Sequence, residues 1–133
     1  MTRWVLVLAL LAPLLTACES LQRKDQASRL QTSLKTYAAS VRWDNLDTAL
    51  GFLRPREGNL QPPRGLDGLK VTGYAIRVNS VNEDSNEAEV TITFTYYFQD
   101  QGRLASVDQT ELWYYDDPSS AWVMDAKSLP GFR

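Results

Sequence analysis

Residues 87 to 98 read Glu-Ala-Glu-Val-Thr-Ile-Thr-Phe-Thr-Tyr-Tyr-Phe, and the alternation within this stretch decides the fold class. Val90, Ile92, Phe94, Tyr96 and Phe98 fall on one side of an extended chain, and Thr91, Thr93, Thr95 and Tyr97 fall on the other. That is the period of two that a strand imposes. The first side is apolar enough to bury beneath helices, whereas the threonine side suits solvent, a second layer or a partner. The stretch therefore reads as the central strand of a sheet, with its aromatics in the core.

Working outward, Asp100-Gln101-Gly102 makes a turn, and Leu104 to Tyr115 is a second strand whose alternation shifts around Ala105 to Val107, predicting a bulge or a local loss of pairing there. Asp116 to Ser120 is the next turn and Ala121 to Ala126 the terminal strand, before Leu129-Pro130-Gly131 closes the chain. Upstream, Asn82 to Asn86 is a polar turn, preceded by a strand over Leu69 to Val81 that Gly73 interrupts with a bend or bulge.

The amino-terminal half changes period. Ala27, Leu30, Leu34, Tyr37, Ala38 and Val41 return at three- and four-residue steps, predicting an amphipathic helix over Gln26 to Arg42. Trp43 marks a change of direction, and Asp44 is placed to cap a second helix whose apolar side is Leu46, Ala49, Leu50 and Leu53. Pro55 helps end it. Residues 56–68, with Pro62-Pro63-Arg64-Gly65, read as a structured connection within one domain spanning residues 26–133, since too little chain follows for a second core. Two helices followed by four antiparallel strands make an α+β fold.

This order of elements, together with the late Trp113-Tyr114-Tyr115 and Ala121-Trp122-Val123, resembles the NTF2-like or cystatin-like group. The resemblance implies two N-terminal helices packed on a curled four-stranded antiparallel sheet. The alternative is a flatter sheet with the helices outside it.

Ahead of the domain, Arg3 gives a basic start and Trp4 to Leu15 an apolar run broken only by Pro13, too short for a comfortable bilayer span. It reads as an export signal over residues 1–17. Leu15-Thr16-Ala17-Cys18 resembles the lipobox of bacterial lipoproteins, which implies cleavage before Cys18 and lipid attachment to its sulfur. Cys18 is the sole cysteine, so no intramolecular disulfide can form, and several acyl chains at about 0.8 kcal/mol per buried methylene would anchor the chain firmly. Residues 18–25 then serve as a short tether. Glu19 follows the lipidated position where aspartate is the familiar signal for inner-membrane retention, so the resemblance implies a cell-envelope protein in the outer membrane, facing the periplasm.

Composition narrows the chemistry. Fourteen basic and 16 acidic side chains give a net charge of −2, and loss of Arg3 with the leader makes the chain more acidic, so nucleic acid is not an expected partner. Arg54, Arg56 and Arg64 gather in the connector but are diluted by Glu57 and Asp67. Histidine is absent, which excludes a histidine-dependent triad and histidine zinc sites. No phosphate loop, zincin helix or EF-hand sequence occurs, and no cofactor or metal is expected. Asp84-Ser85-Asn86-Glu87 clusters oxygen ligands, yet reads better as a polar turn than as a calcium site.

Two sets of candidate residues remain. Asp108 is a candidate base, with Tyr96 or Tyr114 donating to a developing oxyanion and Asp125 as a second acid, the arrangement that NTF2-like enzymes imply for a small apolar substrate. Trp113, Tyr115 and Trp122 form a candidate recognition surface for an envelope protein or peptide, with the sheet core as their competing destination. The favoured expectation is a membrane-anchored, noncatalytic binding or structural module; the alternative is a small-molecule enzyme.

Overall fold

The computed structural model describes residues 2–132, with side chains described over residues 21–132 apart from Arg23. The fold is α+β. Helix α1 (Thr2–Arg42) and the short helix α2 (Leu46–Leu50) precede strands β1 (Leu69–Asn82), β2 (Glu87–Phe98), β3 (Ala105–Asp116) and β4 (Ala121–Met124). The strands form one antiparallel sheet in sequence order, and β1 and β4 are not joined to each other. Short turns between consecutive strands produce this meander, since antiparallel neighbours need no crossover. Among the described residues no helix is long and apolar enough to cross a membrane.

The alternation in β2 sorts the sheet as its sequence requires. Val90, Ile92, Phe94, Tyr96 and Phe98 are all buried, and cross-strand pairing places Ile76 and Val78 of β1 beside them. Leu30, Leu34, Tyr37, Ala38 and Val41 of α1 join this core as one buried helical stripe. Tyr37 is its hub. Its ring meets Trp113 edge-on at 5.6 Å between centroids, Phe52 at 6.0 Å and Phe94 at 6.4 Å. Such aromatic pairs add about 0.5–1.5 kcal/mol each beyond the area they bury.

The chain around α2 and the carboxyl-terminal tail complete the cover. Leu53 bridges Met124 in parallel, with Arg54 N–H donating to the Met124 carbonyl (2.8 Å) and Met124 N–H donating to the Phe52 carbonyl (2.7 Å). The free side of β4 is thereby partly closed. Farther along, Ala126, Leu129 and Phe132 are buried, and the Phe132 ring lies 5.0 Å from Tyr96 and 6.1 Å from Phe94. Gln61 N–H donates to the Lys127 carbonyl (2.7 Å), tying the connector to this tail.

Several expectations are corrected. The helix expected over Gln26 to Arg42 is the end of a longer one, α1, which runs through residues 18–25 as well; that stretch holds neither glycine nor proline to interrupt it. The register shift at Gly73 is present between Val71 and Gly73, and a second lies between Val78 and Ser80. No shift occurs at Ala105 to Val107, where β3 pairs with β2 without interruption. Ala105 and Ser106 are exposed there, while Val107 packs against the core.

Asp44 does not cap α2. The N-cap residue is Asn45, with no side-chain capping bond, while Asp44 has φ 60°. Asn45 N–H donates to the Ser40 carbonyl (2.8 Å) and Asp44 N–H to the Val41 carbonyl (3.4 Å). This is the pattern that closes the end of a preceding helix with a left-handed residue, a position that glycine fills at least steric cost. Asp44 thus terminates α1. Asp44→Gly is expected to stabilise the fold by up to about 1 kcal/mol, since the left-handed conformation penalises a Cβ. A urea series checks it, and a loss of stability would return Asp44 to a capping role.

Candidate functional site

The acid and tyrosines of the proposed catalytic set do not converge. Thr93 of β2 pairs with Asp108 of β3 on the uncovered face of the sheet, and Thr93 Oγ1 donates to Asp108 Oδ1 at 2.7 Å. Asp108 is exposed. Tyr96 belongs to the opposite, covered face, buried beside Phe98 and Phe132. Tyr114 shares the face of Asp108 but stands six residues farther along the same strand, about 20 Å away at the usual rise. Asp125 is engaged elsewhere, its Oδ1 accepting from the Arg56 N–H at 2.9 Å. No one cavity can use these four groups together.

The aromatic set is also displaced from its expected role. Trp113 is fully buried, Trp122 is 3% exposed and Tyr115 is half-buried against Trp122 at 5.8 Å. All three point toward α1 and not toward a recognition surface. The cause is parity: Trp113 pairs with Ala88 and Met124, both core positions. The indole Nε1 of Trp122 donates to the Gln26 carbonyl at 3.1 Å, fastening the amino-terminal part of the packed α1 stripe to β4.

The face left uncovered carries an organised polar surface. Arg77 Nε donates to Asn79 Oδ1 (2.9 Å), Asn79 Nδ2 donates to Thr91 Oγ1 (2.8 Å), and the Thr91 and Thr110 hydroxyls share a bond of 2.8 Å. This ladder crosses three strands and leaves Thr91 only 4% exposed. At the other end of the face, Arg54 Nη1 pairs with Asp116 Oδ2 (3.1 Å) and Arg56 Nη1 with Glu87 Oε1 (2.8 Å). The Arg56 guanidinium also lies 4.2 Å from the Tyr114 ring, and the Tyr114 hydroxyl donates to the Arg54 carbonyl (2.8 Å). Partial burial, followed by the neighbouring Asp116 carboxylate, raises the Tyr114 phenol and keeps it a donor. These contacts clamp the start of the connector onto the sheet. Two of the three connector arginines are therefore occupied by carboxylates.

Beneath the helices lies a polar group that the sequence reading passed over. The Tyr37 hydroxyl donates to Gln109 Oε1 at 2.7 Å, and burial holds the Tyr37 phenol above its ordinary pKa, with Glu111 adding to the effect. Glu111 is half-buried, and its carboxyl is raised first by burial and then by the Asp125 carboxylate. Counting back in twos from Trp113 would have placed Glu111 and Gln109 on the covered face. A raised carboxyl holds its proton more tightly in the folded chain than in the unfolded one, so stability falls as pH rises from the ordinary carboxylate range through the raised value. Glu111→Gln is expected to remove that decline, leaving the variant more stable than the parent at neutral pH and equal to it in acid. Unfolding curves at both pH values check this, and parallel pH dependences would refute it.

The turn at Asp84-Ser85-Asn86-Glu87 is closed from within, Asn82 Oδ1 accepting from the Asp84 N–H (3.1 Å) and the Ser85 N–H (3.3 Å). Asn86 takes a left-handed φ of 51°. Beside it, Ala27 and Leu30 of α1 with Val78, Val81 and Trp122 form an apolar depression of about 150 Å³. Cys18 lies on α1 eight residues before Gln26, about 12 Å along the helix axis, with its side chain outside those described.

No protein-family model matches the chain, and no curated protein or solved structure matches it either.

Proposed function

We propose that this chain is a lipid-anchored module of the bacterial cell envelope, attached through Cys18, with a noncatalytic binding or structural role and an envelope protein or peptide as its partner. The sequence Leu15-Thr16-Ala17-Cys18 behind an apolar run is the basis for the anchor and for an outer-membrane, periplasm-facing location. The observation that favours binding over turnover is the separation of the acid and tyrosine groups: Asp108 is held by Thr93 on the uncovered face while Tyr96 is buried on the other. An uncovered polar sheet face and a long edge strand, β1, leave surface for a partner. The helix-on-sheet order also keeps the NTF2-like or cystatin-like architecture as the favoured relationship, with the sheet open.

The anchor is tested by intact-mass measurement of the protein from membranes. A mature chain beginning at Cys18 and carrying lipid mass is expected, and Cys18→Ser should lose both the lipid and stable membrane association. A membrane-derived parent chain without lipid would end the proposal. For the binding role, crosslinking in the native envelope followed by a direct binding measurement should recover one reproducible partner. Turnover of a small molecule that disappears specifically in Asp108→Asn would decide instead for catalysis.

A further inference from the structure

We propose that the outer side of β1 between Gly73 and Val78 takes up an extended segment of a partner protein as an added strand, one whose side chains alternate between apolar and acidic. This deepens the binding role proposed above and rests on it. β1 ends the sheet, and among the described residues no chain pairs with its outer side between Gly73 and Val78. The opposite edge differs, since Leu53 bridges Met124 and partly closes β4. An open edge strand presents a row of unmet N–H and C=O groups, which an extended peptide satisfies through main-chain hydrogen bonds.

Along that edge the apolar rows of the core run out. Tyr74, Ile76 and Val78 pair with Phe94, Ile92 and Val90 of β2 on the covered face. All three β2 residues are buried, whereas Ile76 and Val78 are half-buried and Tyr74 is 37% exposed. Next to Tyr74 an open cleft of about 450 Å³ lies between β1 and α1, lined by Lys35 and Ala39 of the helix and by Trp43. Trp43 is 72% exposed. In an added strand every second side chain points to this covered face, so residues set against Tyr74, Ile76 and Val78 would lengthen the apolar rows, and the first of them would enter the cleft.

Charge and length select the partner. On the uncovered face the same run offers Gly73, Ala75 and Arg77, and among the described residues neither Arg77 nor Lys35 forms an ion pair. The run holds no acidic residue. A second copy of β1 would therefore bring cation to cation, while a strand with carboxylates at its uncovered-face positions would meet Arg77 with the opposite charge. The register shifts on either side, between Val71 and Gly73 and between Val78 and Ser80, break the regular ladder and confine pairing to residues 73–78. They also oppose the open-ended edge pairing that leads to aggregation.

The probe is a blocked hexapeptide of alternating valine and glutamate, titrated into the full chain while NMR follows the amides of Gly73 to Val78. Saturable shifts and slowed hydrogen exchange across that run are expected, with a dissociation constant on the order of 1 mM for so short a strand. N-methylation of one alternate set of peptide residues should abolish binding and that of the other set should be tolerated, because only one set directs its N–H groups at β1. The valine and lysine counterpart should bind at least about fivefold more weakly. Arg77→Glu, at an exposed position, should reverse that preference. Absence of shifts at residues 73–78, equal loss from both methylated sets, equal affinity for the two peptides, or dimerisation of the chain through this run would overturn the proposal. A partner recovered by crosslinking that leaves the β1 amides unprotected would also overturn it, while sparing the wider binding role.

Discussion

Trp113→Ala is expected to cost about 3–5 kcal/mol, the usual range for removing a large buried aromatic. Domains of this kind are stable by only about 5–15 kcal/mol, so the variant should unfold at markedly lower urea and sit close to the threshold of folding. The expectation follows from position. Trp113 has no exposed surface, and its ring meets Tyr37 and Phe52 at 5.6 and 6.0 Å. Truncation would leave a cavity between α1 and β3 that these rings cannot collapse to fill without leaving their own contacts. A recognition residue on the surface would behave differently, with a stability change within about 0.5 kcal/mol. A urea midpoint unchanged by the substitution would therefore place Trp113 on an accessible face and contradict the packing.

Phe132→Ala should be nearly as damaging, at about 3–5 kcal/mol, although the residue lies in the irregular tail after β4. Its ring is 5% exposed and packs edge-on against Tyr96 and Phe94, so the tail is part of the core. Hydrogen exchange adds a second reading. Loss of Phe132 should speed exchange in the segment around Ala126 and at Gln61, whose amide donates to the Lys127 carbonyl, before it affects the centre of β2. A stability loss below about 1 kcal/mol, with unchanged exchange at Gln61, would show that the tail does not cover the sheet.

The contrast between these two residues shows what can be read without a structure. Trp113 lies in a strand whose alternation is visible, and its core destination was one of two readings open from the start. Phe132 belongs to no periodic segment, so nothing local indicates that it returns to β2. Asp44 is a different case. Aspartate suits both the start of one helix and the left-handed end of another, and only the bonds from Asn45 to Ser40 and from Asp44 to Val41 show which is formed.

The sequence by itself determined the class of the fold and the order of its elements, because period is a local property of the chain: two for residues 87–98, close to 3.6 for residues 27–41. It also determined the absence of histidine chemistry and the motif around Cys18, which are matters of composition and order. Tertiary structure alone decided which candidate groups meet. Facing residues are set by register between strands, so the pairing of Thr93 with Asp108 separates that acid from Tyr96, while Trp113 and Trp122 close against α1. The corner lined by residues 41–46, 69–71 and Phe132 likewise draws on three segments far apart in sequence that only packing brings together.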